Sequence, residues 1–253
     1  MTLPPGRPVW LGTSWKMTKT LADATAWARA VAAAHWAGLP TVRPFVLPPA
    51  TALTAVRDVL VGSPVEVGAQ NAHWADAGAW TGEVSVPQVR DAGAVLVEIG
   101  HSERRAWFGE TDRTVNLKVH ATLRHGLTAL VCVGEPEAAF RAGRSVEHVL
   151  AQTRAALADV TDLGRVLVAY EPVWAIGEQG RPARPDEVAG VVAALAAEVG
   201  PAGVRLLYGG SVDTSNAADL LAVPGLDGLF VGRAAWAAEG FLALAALAAT
   251  AVR

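Results

Sequence analysis

Val166-Leu167-Val168-Ala169-Tyr170-Glu171-Pro172-Val173-Trp174-Ala175-Ile176-Gly177 runs from a short apolar stretch straight into a carboxylate and a proline. A continuous apolar run, rather than an alternating one, is what a parallel strand covered on both faces requires. The carboxylate that follows stands at the strand exit, and the proline after it aims it rigidly. The apolar residues behind are placed to close over a site and exclude water.

Seven further runs of this kind recur along the chain: Val9 to Ser14, Val42 to Leu47, Val65 to Gln70, Val95 to Ile99, Ala129 to Val133, Val204 to Tyr208 and Gly228 to Val231. Alanine-rich helical stretches lie between them. Thr20 to Trp36 opens with Thr20 and Asp23 at capping-box spacing and sets Leu21, Ala24, Trp27, Ala28 and Val31 on one face, the pattern of a scaffold helix. Strand and helix alternate at intervals of about 25 to 35 residues without a linker, which predicts βα repetition rather than separate domains. An open doubly wound sheet shares this periodicity, but no G-x-G-x-x-G follows an early strand. The expected fold is α/β, a single closed (β/α)8 barrel over residues 1–253.

Composition agrees with that expectation. The chain has 253 residues, 52% hydrophobic and 18% charged, enough to bury a sizeable core. A net charge of −3 gives no footprint for nucleic acid, so any anion site must be local. Cys132 is the only cysteine and has no intrachain partner, which predicts a cytoplasmic protein. Met1 to Val9 lacks the basic region, apolar stretch and cleavage site of a signal peptide. Ala234 to Val252 is apolar, but Glu239 and Gly240 interrupt it and leave less than the roughly 20 residues of a membrane span. A helix packed on the sheet is expected there, and no membrane span.

In a barrel, the working side chains sit at the C-terminal strand ends. The first strand leads into Gly12-Thr13-Ser14-Trp15-Lys16-Met17, which sets a cation on that face, although a lysine at a strand exit is also an ordinary solvated charge. The fourth delivers Gly100-His101-Ser102-Glu103-Arg104-Arg105. The positive end of the helical stretch that follows keeps a histidine neutral and able to donate to a carbonyl; its plain alternative is a structural histidine. Glu103 and the two arginines read as an ion-pair network bracing the site. Glu171, shielded from water, suits proton abstraction beside a carbonyl, and its plain alternative is a salt bridge to Lys16.

The last two strands finish in Tyr208-Gly209-Gly210-Ser211 and Val231-Gly232-Arg233, where glycines let backbone amides approach an anion. The loop from Trp74 to Glu83 carries Trp74 and Trp80 and reads either as a partner surface or as a flap tucked onto its own barrel. His35, His73, His120, His125 and His148 show no ligand-type spacing, so no metal is expected. Glu98 lies inside an apolar strand, where a carboxylate needs a partner or a proton. That partner is not identified by the sequence.

These segments resemble the triosephosphate isomerase family along nearly the whole chain. The matching stretches are Trp15-Lys16-Met17, Gly68-Ala69-Gln70-Asn71, Thr81-Gly82-Glu83, Gly100 to Arg105, Cys132-Val133-Gly134-Glu135, Tyr170 to Gly177 and Gly209-Gly210-Ser211. The resemblance implies a TIM barrel and a cofactor-free aldose–ketose isomerase working through an enediolate on a short sugar phosphate. It makes Glu171 the base, His101 the neutral electrophile and Lys16 the cation, with the amides of Gly177, Ser211 and Gly232 on the phosphate. These roles come from the family, which is itself a worked case of base, neutral histidine and closing loop. It further implies a homodimer through the loop from Trp74 to Glu83, and a place in glycolysis and gluconeogenesis.

Three departures stand out. Ser14 replaces a usual asparagine at the substrate, the closing loop continues as Glu178-Gln179-Gly180-Arg181-Pro182, and Arg233 replaces a second phosphate-binding glycine. Gly12-Thr13-Ser14-Trp15-Lys16, His73-Trp74-Ala75-Asp76, Val97-Glu98-Ile99-Gly100-His101 and Gly232-Arg233 together look like the branch that isomerises L-erythrulose 1-phosphate in erythritol catabolism. Ser14 widens the pocket in that reading, and Arg233 either adds charge at the substrate or points away. The competing reading is a barrel that binds a phosphorylated ligand without turnover.

Overall fold

The computed structural model describes residues 8–177 and 180–251. The first seven residues of the leader reading, Glu178 and Gln179 of the closing loop, and Val252 lie outside that range. Eight parallel strands close into one barrel in chain order: β1 (Val9–Ser14), β2 (Val42–Leu47), β3 (Glu66–Ala69), β4 (Leu96–Ile99), β5 (Thr128–Val133), β6 (Val166–Tyr170), β7 (Arg205–Gly210) and β8 (Gly228–Val231). β8 pairs back onto β1 from Trp10 opposite Gly228 to Thr13 opposite Val231. The expected strand limits shift by a residue or two in β3, β4, β5 and β7. The largest change is in β7, where Gly209 and Gly210 continue the ladder opposite Phe230 and Val231 instead of opening a loop.

The continuous apolar runs are explained by two separate layers. One face of the strands fills the barrel interior with Trp10, Phe45, Leu47, Leu96, Leu130, Cys132, Leu167, Ala169, Leu207 and Phe230. The other face packs on the surrounding helices. Gly12 belongs to the inner face, and a side-chain carbon there would lie 1.9 Å from the Phe45 ring, which occupies the space and stacks on Phe230 with centroids 5.8 Å apart.

The helices form where the sequence caps them. Thr20 and Asp23 make a reciprocal capping box that starts the helix Leu21–Ala32. Ala24, Trp27, Ala28 and Val31 are buried on it as expected, but Leu21, at the first position of the helix, is half exposed. Trp36 lies beyond this helix, in a separate turn Trp36–Gly38. The terminal helix Ala238–Thr250 buries Ala238, Phe241, Leu244, Ala245 and Ala248. Phe241 meets Trp27 at 5.1 Å between centroids, and its complete burial contributes about 1.5–3 kcal/mol. Among the described residues no helix is long and apolar enough to cross a membrane.

Candidate active site

Strand periodicity brings the polar residues together. Side chains alternate across a strand, so Ser14 follows Trp10 and Gly12 to the inner face, Glu98 follows Leu96, Glu171 follows Leu167 and Ala169, and Gly232 follows Phe230. All four lie at the C-terminal strand ends. A narrow cleft runs between Ser14, Lys16, His101, Glu171 and Gly232. It opens beside a larger cavity of about 460 Å³ that shares Ser14, Lys16 and His101 and adds Gln70, Glu98 and Glu103. That size is within the range of small-molecule sites.

Glu171 and His101 face each other in the cleft. Both are buried, and Glu171 Oε2 lies 3.8 Å from His101 Nε2. This carboxylate oxygen has no hydrogen-bond partner among the described residues. The Glu103 amide donates to His101 Nδ1 at 3.1 Å. An imidazole that accepts at Nδ1 is neutral and carries its proton on Nε2, so His101 offers the cleft a donor. Two glycines make room for the carboxylate. A side-chain carbon at Gly134 would lie 1.9 Å from the Glu171 carbonyl oxygen, and one at Gly209 would lie 2.7 Å from Glu171 Oε1. Gly209 therefore leaves the room that the Glu171 carboxylate occupies.

Lys16 is held against its backbone preference, with a φ of 52°. A non-glycine residue in this left-handed region stores strain of order 1 kcal/mol or more, a pattern that collects at functional sites. Gln70 holds the turn in place, donating from Nε2 to the carbonyls of Lys16 at 3.0 Å and Leu47 at 2.9 Å. Trp236 Nε1 fixes the preceding strand end through the Ser14 carbonyl at 2.9 Å. The Lys16 ammonium pairs with Glu103 at 2.6 Å, so the alternative of a Lys16–Glu171 bridge is not what forms.

The expected network of Glu103 with both arginines is divided. Arg104 pairs with Glu110 at 2.9 Å and Arg105 with Asp112 at 2.6 Å, leaving Glu103 to Lys16. Glu110 is the centre that sequence reasoning missed. It is buried, accepts from the Gly100 amide at 3.0 Å, and pairs with Arg104 and with the buried Lys118. Burial pushes its carboxyl up, but the neighbouring Lys118 ammonium and Arg104 guanidinium outweigh this and hold it below its ordinary value. Lys118 also donates to Asn71 at 2.8 Å. The signal was a charge, Lys118, on the otherwise core-facing side of the helix Asp112–Arg124.

The opposite rim collects Gly177, Ser211, Gly232 and Arg233. A side-chain carbon at Gly232 or at Gly177 would meet nothing within 4 Å among the described residues. Ser211 Oγ donates to the Ala175 carbonyl at 2.8 Å and ties the end of β7 to the segment after β6. Arg233 is exposed, and its guanidinium reaches the Gly177 carbonyl at 3.0 Å, so it ties the segment after β6 to the end of β8 within this rim. Glu135 grips the same segment, accepting from Trp174 Nε1 at 2.8 Å and Tyr170 Oη at 3.3 Å. Arg181, in the altered part of the closing loop, covers the Trp174 ring at 4.6 Å and forms a two-pronged pair with Glu187 at 2.6 and 2.8 Å.

The partner of Glu98 is Ser14. Ser14 Oγ donates to Glu98 Oε2 at 2.8 Å, and Cys132 Sγ stands 3.9 Å from Oε1. Burial pushes the Glu98 carboxyl up to about 7; the Glu171 charge adds to the rise, while the Ser14 hydrogen bond and Lys16 oppose it.

In the loop after β3 the aromatic rings pack on one another, with Trp80 4.4 Å from the His73 ring. Trp74 packs partly against the core and stacks on His73 at 4.0 Å, whereas Trp80 remains about half exposed.

Comparison with known proteins extends this geometry. Residues 9–248 match the family model described as triosephosphate isomerase. An L-erythrulose-1-phosphate isomerase of Mycolicibacterium smegmatis is 54% identical over 245 residues, covering 95% of this chain and 93% of the relative. A protein of the same name from Brucella abortus is 48% identical over 250 residues, covering 96% and 98%. The solved structure of triosephosphate isomerase from Bartonella henselae superposes with a TM-score of 0.85 at 34% identity, covering 94% of this chain and 98% of that one.

Proposed function

The chain belongs to the triosephosphate isomerase family and is an isomerase, and from that premise we propose that it moves a proton along L-erythrulose 1-phosphate. The observation that supports the chemistry is the unpartnered Glu171 oxygen set 3.8 Å from a neutral His101. A carboxylate with an unsatisfied oxygen is a base, and an Nε2–H beside it polarises the carbonyl next to the carbon that loses its proton. Lys16 supplies positive charge to the developing enediolate. The backbones of Gly177, Ser211 and Gly232 hold the phosphate, with Gly232 lining the cleft, and Arg233 fastens that rim. Ser14 lines the reacting end. The relatives compared above bear the names of enzymes, which leaves a silent phosphate-binding barrel without support.

The carbon count determines what the proton shift produces. In a triose phosphate the reacting carbon is a terminal CH2OH, and the shift interconverts ketose and aldose. L-erythrulose 1-phosphate carries a hydroxymethyl group at that position. Loss of the C3 proton gives an enediolate between C2 and C3, and protonation at C2 leaves a ketone at C3. The same residues then interconvert two ketoses. Steady-state assay of the purified protein on both substrates tests the reading. We expect kcat/KM for L-erythrulose 1-phosphate to exceed that for dihydroxyacetone phosphate by about tenfold or more. Equal values would remove the claim of specialisation.

The protein acts in this reading as a homodimer in the cytoplasm, in tetritol breakdown. Support for the dimer comes from the exposed side chains beside the larger cavity: Met17, 97% exposed, and Phe108 at 68% line it, and the loop bearing the half-exposed Trp80 borders it. Sedimentation velocity is expected to give twice the mass of one chain, and Trp80→Asp to shift the boundary toward the monomer. A monomeric wild type would refute it. Cys132 is free and buried, as suits a reducing compartment.

A further inference from the structure

We propose that Ser14 and Glu98 form a positioning pair that reads the terminal hydroxyl of a four-carbon substrate, an inference that rests on the tetrulose reading above. The two clefts of the site meet at Ser14, Lys16 and His101. One leads to Gly232 and the phosphate rim. The other, the larger cavity, is walled by Ser14 and Glu98. A substrate with its phosphate at Gly232 and its reacting carbons between His101 and Glu171 sends its remaining end into this second cleft. In a triose that end is a hydrogen atom. In a tetrulose it is CH2OH.

The pair is built to receive a hydroxyl. Ser14 commits its only proton to Glu98 Oε2 at 2.8 Å, which leaves its lone pairs as acceptors. Glu98 Oε1 has only the weak Cys132 thiol, 3.9 Å away. Both residues are buried, Ser14 at 6% and Glu98 at 3% exposure, where an unused acceptor is costly and a substrate hydroxyl that fills it is correspondingly favoured. An apolar side chain would satisfy the packing of β4 without this cost. The carboxyl thus has a reason to be there only if something polar meets it. Around it stand Ser14 and Lys16 from the end of β1, Cys132 from β5, His101 beyond β4 and Glu171 beyond β6, and none of these supplies a strong donor to Oε1.

The test compares kcat/KM on L-erythrulose 1-phosphate and dihydroxyacetone phosphate for wild type, Ser14→Ala, Ser14→Asn and Glu98→Gln. In Ser14→Ala and Glu98→Gln the tetrulose-to-triose ratio is expected to fall about tenfold or more, the effect of losing a hydrogen bond that only one substrate makes. Ser14→Asn, which fills the space, is expected to move the ratio in the same direction. Equal losses on both substrates would mean that the pair only shapes the barrel, and wild-type values on both would mean that it does not touch substrate; either overturns the proposal. Should Glu98→Gln fail to fold, Ser14→Ala, which removes one oxygen, decides. A wild type inactive on the tetrulose refutes the underlying reading instead, and is recognised without any variant.

Discussion

Glu171→Gln is expected to slow both turnover and solvent deuterium uptake into bound sugar phosphate by about a thousandfold, the usual contribution of a well-placed general base. The carboxamide has nearly the same size, and the oxygen it alters makes no hydrogen bond among the described residues, so folding has little to lose. Thermal unfolding should therefore stay close to wild type while exchange collapses. Gly134 and Gly209 leave room for either side chain. Measuring exchange by NMR in deuterated buffer separates this step from the release of product. Deuterium uptake at the wild-type rate in Glu171→Gln would show that another group removes the proton, and the roles given to Glu171 and His101 would both fail.

The ease with which Glu171 is recognised in the sequence has a physical basis. A strand of the barrel alternates its side chains, and a polar residue at a C-terminal strand end on the inner parity has only one place to go. Ser14, Glu98, Glu171 and Gly232 all satisfy that rule, so local pattern was enough to bring them to one face. The strand limits were legible in β1, β2, β6 and β8, which cover the residues their apolar runs mark out. Gly209 and Gly210 were not, because glycine signals a turn locally while here the pairing with β8 decides.

Partners across the interior were much less legible. Ser14 and Glu98 are 84 positions apart and come from strands that are not neighbours in the sheet. No register between adjacent strands predicts such a meeting; it depends on the diameter of the barrel and on what Phe45 and Cys132 leave unfilled. The ion pairs failed for a related reason. Glu103, Arg104 and Arg105 are contiguous, and contiguity suggested that they pair together. Successive helical residues point in different directions, so each found a different partner: Lys16, Glu110 and Asp112.

Those partners give the second large effect, on stability. Lys118→Met is expected to destabilise the protein by about 3 kcal/mol at neutral pH, the lower end of what removing one member of a buried ion pair costs. The lower end applies because Glu110 keeps Arg104 and the Gly100 amide. For a domain of this size that corresponds to a fall in Tm of roughly 6–12 °C. The sign of its pH dependence follows from Glu110, whose carboxyl is held below its ordinary 4.5 in the fold. A depressed carboxylate stabilises the native state above the unfolded value and loses that contribution as pH falls through the folded one. The gap in Tm between wild type and Lys118→Met should thus be full at pH 7 and narrow below about pH 4.5. Because Glu110 also holds the amide next to His101, the variant should lose some kcat even well below its Tm. A gap that stays constant from pH 7 to pH 3.5 would mean that Lys118 acts by packing alone and that Glu110 is not the charge it neutralises.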